Sequence, residues 1–132
     1  MLYIDSNVCL YAALSRERIG SRARVLLGEV QQGKESACSS ALTFDEVIRV
    51  VKQHRGIQEA VAVGEVLLNF PNLKLTPLDG DLLTQALEII KKYELDPRDS
   101  IHAASAISEN VETIVSTDQH FDRIVGLRRK SI

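Results

Sequence analysis

Apolar residues recur along the chain with two spacings. Leu2–Asp5 opens as a short continuous apolar run, and Thr113–Ser116 is a β-branched run of the same kind. Both have the composition of buried strands, not that of half-exposed ones. Ser36–Ser39 and Leu73–Thr76 read as further extended segments, and Ile124–Leu127 as a last strand. Between these runs the spacing changes to that of a helix. Ile19, Ala23, Leu26, Leu27 and Val30 predict a helix over Arg18–Gln32, which Gly33 closes. Leu82, Leu83, Ala86, Leu87, Ile89 and Ile90 predict an amphipathic helix over Asp79–Tyr93. Asn7 is the expected cap of a short helix through Tyr11–Leu14. Ser40 or Thr43 caps another that continues through Val51 to about His54. Gly56 breaks it, and Gln58–Phe70 forms the next helix, ending before Pro71.

The clearest boundary is Asp96-Pro97-Arg98-Asp99. It places a capping residue, a proline at the first helical position and an acid at the third. A helix through Ile101–Ser108 follows, and Thr117–Phe121 is a short helix or turn. Strands alternating with helices predict an α/β domain with a mainly parallel sheet. Right-handed crossovers then bring the carboxyl ends of the strands to one edge, where ligands collect in open sheets.

Composition adds limits. The 132 residues suit one domain, with no linker, repeat or low-complexity segment. No apolar run approaches the length of a membrane span, and Met1 leads directly into a strand without a signal-peptide pattern, so a cytoplasmic protein is expected. Cys9 and Cys38 lack metal-ligand spacing and read as buried thiols. The net charge of −2 speaks against a nucleic-acid partner until acids that bind cations are set aside. What remains is mildly basic, with a cluster at Arg128, Arg129 and Lys130. That cluster reads first as a solvated tail and second as a phosphate contact.

Asp5 follows the first strand and Asp118 follows Thr113–Ser116, so the two acids converge if those strands are neighbours. Asp99 lies in the first turn of its helix, on a face with Ala103, Ala106 and Ile107. Glu46 shares a helical stripe with Leu42 and Val50. Taken singly, Asp5, Asp99 and Asp118 serve equally well as caps or as partners of a helix dipole. Glu46 is harder to assign to structure, because a carboxylate on an apolar stripe is costly without a partner, for which Arg49 is available. Taken together, four carboxylates repel: at an effective dielectric near 20, two charges about 4 Å apart cost roughly 4 kcal/mol. Cations or retained protons must offset that. Hard oxygen donors without nearby Cys or His favour Mg²⁺ or Mn²⁺.

At these residues the chain resembles the PIN-domain nucleases, and among them the VapC-type toxins of prokaryotic toxin–antitoxin pairs. The resemblance rests on Tyr3-Ile4-Asp5-Ser6-Asn7-Val8, Leu42-Thr43-Phe44-Asp45-Glu46-Val47, Arg98-Asp99-Ser100-Ile101-His102-Ala103-Ala104 and Ser116-Thr117-Asp118-Gln119-His120-Phe121-Asp122. It implies a three-layer α/β/α sandwich around a parallel sheet and metal-dependent cleavage of RNA. By motif it maps the family's acids onto Asp5, Glu46, Asp99 and Asp118, and a further acid, one that holds a second metal indirectly, onto Asp122. Asn7 and Thr117 match polar positions that hydrogen-bond those carboxylates. A cognate antitoxin is expected on the same ground. Many relatives carry Ala where this chain has Ser100. Asp45 is assigned to solvent, Asp96 to the cap, and His102 and His120 to ordinary packed or surface positions. Long apolar stripes on Arg18–Gln32 and Gln58–Phe70 suggest a homodimer.

Other readings fit less well. A phosphoacceptor receiver does not use a helical Glu as its second acid. A haloacid-dehalogenase-like hydrolase needs an Asp two residues after the first, where Asn7 stands. A degenerate PIN domain that only binds RNA or acts as a scaffold is disfavoured by the presence of all four acids. RNA and DNA are not separated by sequence, because readers of the 2′-hydroxyl cannot be placed.

Overall fold

The computed structural model describes residues 1–132. Five strands form one sheet: β1 (Leu2–Ile4), β2 (Ala37–Ser40), β3 (Leu73–Thr76), β4 (Thr113–Val115) and β5 (Arg128–Lys130). They lie in the order β3-β2-β1-β4-β5 and every pair is parallel. The six helices are α1 (Ser6–Leu14), α2 (Arg18–Gln31), α3 (Ala41–Arg55), α4 (Ile57–Leu68), α5 (Gly80–Tyr93) and α6 (Pro97–Ser108). A 3₁₀ turn over Gln119–Arg123 joins β4 to β5.

Alternation along the strands builds two cores. Tyr3 and Ile114 point to one face, where they meet Leu82, Ala86 and Ile89 of α5 and Ala103, Ala104 and Ala106 of α6. Ile4 and Val115 point to the other face, against Val8 of α1, Ala23 and Val30 of α2, Val47 and Val51 of α3, and Ala60 and Leu67 of α4. The result is the three-layer α/β/α sandwich. Cys9 and Cys38 are free and buried, and burial pushes the Cys9 thiol up to about 12.

Local chemistry accounts for the helix ends. The side chains of Ser40, Asp79 and Asp96 accept from Leu42 N, Leu82 N and Arg98 N at 3.0, 2.9 and 3.0 Å, the geometry of N-caps. Gly56 has φ +87°, a conformation open to glycine, and there α3 turns into α4. Gly64 lets the two helices approach closely, since a Cβ there would lie 2.9 Å from Ile48 Cδ1.

Two expectations are corrected. Asp5, not Asn7, caps α1: its carboxylate accepts from Ser6 N, and Asn7 lies inside the helix. The last strand is Arg128–Lys130 instead of Ile124–Leu127. Ile124 and Leu127 are buried as anchors of the preceding loop, and the basic cluster is an edge strand, not a solvated tail. No helix is long and apolar enough to cross a membrane.

Candidate active site

Because β1 and β4 are direct neighbours, with Ile4 opposite Val115, the residues that follow them emerge side by side. Asp5 N continues the ladder by donating to Val115 O at 3.1 Å. Asp5 is 5% exposed. Its Oδ1 accepts from Ser6 N at 2.7 Å and its Oδ2 from Ser116 Oγ at 2.6 Å. Ser116 Oγ in turn accepts from Asp118 N at 2.9 Å. One hydroxyl therefore ties the carboxylate of Asp5 to the backbone of Asp118. Asp118 also caps the 3₁₀ turn by accepting from His120 N at 2.9 Å.

Asn7 crosses from α1 to the same loop, donating to Thr117 Oγ1 at 2.9 Å and Ser116 Oγ at 3.3 Å. Asn7 thus bonds both Thr117 and Ser116, and it is Ser116 that bonds the carboxylate. The remaining oxygen of Asn7, Oδ1, is buried without a donor.

Asp99 enters from the first turn of α6. One ligand atom each from Asp99, Asp118 and His120 lies within 4.8 Å of the others. His120 Nδ1 is 3.4 Å from Asp99 Oδ2 and 3.2 Å from Asp118 Oδ1. Burial, then the charges of Asp118 and Asp5, push the Asp99 carboxyl up to about 6, against an opposing hydrogen bond from His120. Burial likewise raises Asp5, although His102, Ser116 and Ser6 all favour its ionised form. Glu46 comes from the second turn of α3 and pairs not with Arg49 but with His102, whose Nε2 is 2.6 Å from Glu46 Oε1 and 3.7 Å from Asp5 Oδ1. Burial works to lower the His102 imidazole, but the hydrogen bond to Glu46 and the charges of Asp5, Glu46 and Asp99 outweigh it, so the net shift is upward.

Asp5 and Glu46 are therefore linked through His102, Asp99 and Asp118 through His120, and Asp5 and Asp99 by mutual repulsion. A hard divalent cation fits this set. The donors are carboxylate oxygens, the crowding of negative charge is costly without a cation, and the orphaned Asn7 Oδ1 adds an acceptor in search of a positive partner.

Other expected residues fall elsewhere. Both carboxylate oxygens of Asp122 are taken by Arg129, from Nε at 2.9 Å and Nη2 at 3.1 Å. Arg129 Nη1 also donates to Ser116 O at 3.2 Å, so its guanidinium braces the loop beneath Asp118. Arg128 donates to Thr113 Oγ1, and Lys130 lines a cleft of about 320 Å³ with Arg18 and Arg22. Asp45 is exposed, as expected. His102 and His120, assigned from the sequence to ordinary packed or surface positions, lie against the carboxylates instead, and Ser116 was not singled out. The signals were present: His102 lies three residues after Asp99 on one helical face, and His120 two residues after Asp118.

A family model for the PIN domain matches residues 2–127. The chain belongs to the PIN domain family. Ribonuclease VapC13 of Mycobacterium tuberculosis is 25% identical over 138 residues, covering 98% of this PIN domain and 98% of the relative. Among solved structures, VapBC2 from Rickettsia felis bound to a DNA fragment superposes with a TM-score of 0.73 and 19% identity, covering 99% of this chain and 98% of that one. A toxin–antitoxin complex from Klebsiella pneumoniae gives a TM-score of 0.70 at 19% identity, covering 96% and 95%. At these identities the two structures establish that the PIN domain shares their fold.

Proposed function

We propose that this PIN domain is a divalent-metal-dependent endoribonuclease that acts as the toxin of a prokaryotic toxin–antitoxin pair. The observation that carries this reading is the gathering of Asp5, Glu46, Asp99 and Asp118, from four separate elements, at the carboxyl edge of the sheet. The near full-length similarity to ribonuclease VapC13 supports RNA as the substrate.

Asp5, Glu46, Asp99 and Asp118 would hold the cation, and His120, grouped with Asp99 and Asp118, offers a nitrogen. When bound, Mg²⁺ or Mn²⁺ supplies positive charge for the phosphate oxygens and a nucleophile from water at neutral pH. The protein's own part is rigidity. Asp5 is held by Ser6 and Ser116, and Asp118 by the turn that it caps, so the carboxylates need no rearrangement when the substrate arrives. RNA phosphates would be met by Lys130, Arg18 and Arg22 along their shared cleft, and by Arg128, more than by Arg129, which Asp122 already occupies. Such contacts weaken steeply with added salt.

The reading includes a protein antitoxin, supported by the likeness to the Klebsiella pneumoniae complex. An apolar groove of about 440 Å³ between α1, α2 and α4, lined by Ala13, Leu27, Val63, Leu67 and Phe70, is the surface suited to an apolar partner segment. It includes a homodimer as well, because Ile57, Val61 and Leu68 of α4 are exposed. Sedimentation that finds only monomer at tens of micromolar removes the dimer from the reading.

Incubating the purified protein with cellular RNA in Mg²⁺ or Mn²⁺, with and without EDTA, tests the proposal. Cleavage that the chelator abolishes is expected. Intact RNA under every metal condition would leave a binding module instead.

A further inference from the structure

Three of the four acids sit at the start of a helix or turn, and backbone or hydroxyl donors fix two of them, Asp5 and Asp118. Glu46 does not. It lies within α3, on a longer side chain, and takes its side-chain hydrogen bond from His102. His102 is itself 1% exposed and engaged at both ring nitrogens. Nε2 lies 2.6 Å from Glu46 Oε1, and Nδ1 lies 2.7 Å from the hydroxyl of Tyr3. An ionised carboxylate only accepts, so Nε2 carries the hydrogen. The rings of Tyr3 and His102 meet edge to face, with centroids 5.9 Å apart at 72°. Tyr3 is fully buried in β1, two residues before Asp5. A single chain of contacts thus runs from β1 through α6 to α3 and back towards Asp5, 3.7 Å from the same Nε2.

We propose that His102, held by Tyr3, is the positioning residue for Glu46: it fixes one carboxylate oxygen and leaves the other for the cation. The proposal rests on the metal-dependent reading above. Partners that orient a ligand in this way typically contribute about 10–100-fold to metal affinity or activity. They do so without touching the metal, because an unrestrained side chain must be ordered each time the ion binds.

Calorimetric titration with Mn²⁺ alone, at neutral pH and without RNA, tests this with three variants. His102→Met fills the space without a donor, and a fall in Mn²⁺ affinity of about 10–100-fold is expected. His102→Gln places an amide N–H near the position of Nε2 and should return affinity to within about threefold of the parent. Tyr3→Phe removes only the hydroxyl and should fall between them. A purely structural histidine would lower the melting temperature of both His102 variants and leave Mn²⁺ affinity in place. Affinity of His102→Met within about twofold of the parent overturns the proposal, and so does His102→Gln binding no better than His102→Met. Should His102→Met fail to fold, Tyr3→Phe decides, and unchanged affinity there overturns it. A parent that binds no Mn²⁺ removes the metal reading along with this inference, whereas binding that every variant keeps removes the inference alone.

Discussion

Ser116 donates its hydroxyl hydrogen to Asp5 Oδ2 at 2.6 Å, and this bond joins the loop after β4 to the end of β1. Both groups are buried, Ser116 completely and Asp5 to 5% exposure. Removing the donor leaves a buried carboxylate short of a partner, a loss of roughly 1–3 kcal/mol. Ser116→Ala should therefore lower the urea midpoint at neutral pH without changing the slope. A midpoint equal to the parent's would show that the bond contributes nothing to stability.

Ser100 is the opposite case. Its hydroxyl is buried in the first turn of α6 and has no hydrogen-bond partner. An unpaired buried hydroxyl costs about 1–3 kcal/mol, and Ala is also the better helix former. Ser100→Ala should be more stable than the parent, by up to roughly 2 kcal/mol in urea unfolding. Destabilisation would mean that the hydroxyl has a partner not yet identified.

The acids make metal-free stability depend on pH. Asp99 is raised from 3.8 to about 6 by burial and by its neighbours Asp118 and Asp5. A carboxyl whose folded pKa is raised binds its proton more tightly when folded. Its contribution is fully present below 3.8 and is lost as pH climbs through about 6. With solvent screening of this partly exposed group, the loss is about 1–2 kcal/mol. In EDTA the parent's melting temperature should fall between pH 4 and 7 relative to Asp99→Asn. Adding Mn²⁺ at pH 7 should reverse that fall in the parent only. Parallel profiles for the two proteins would contradict the crowding of charge at Asp99.

Asp122 offers a contrast within the same motif. Arg129 holds both of its carboxylate oxygens and keeps its carboxyl below the usual range. Exposed pairs of this kind contribute little, so Asp122→Asn should leave RNA cleavage and Mn²⁺ affinity within about threefold of the parent. A loss of Mn²⁺ affinity comparable to that of Asp99→Asn would place Asp122 on the metal.

The strand-end acids were legible in the sequence for a physical reason. Leu2-Tyr3-Ile4 and Thr113-Ile114-Val115 are buried on both faces, so their apolar runs are unbroken and the first acid after each marks the sheet edge. The helix that begins at Asp79 followed from its apolar spacing, and the boundary at Asp96 from capping chemistry. Strand β5 was hidden because it is an edge. Arg128 and Lys130 face solvent, so pairing is carried by backbone and no apolar alternation announces it. The cap of α1 was ambiguous because Asp5, Ser6 and Asn7 are all capping residues, and only β1 ending at Ile4 selects the first. His102 and Ser116 could not be paired with Glu46 and Asp5 from local pattern, since their partners lie 56 and 111 positions away.

The most direct test compares RNA cleavage in Mg²⁺ or Mn²⁺ by the parent, Asp5→Asn and Asp99→Asn, with circular dichroism confirming that each is folded. A loss of about a hundredfold or more in both variants, with a parent that EDTA silences, is the expected result. Cleavage by either folded variant at the parent's rate would contradict the assignment of the carboxylate cluster as the active site.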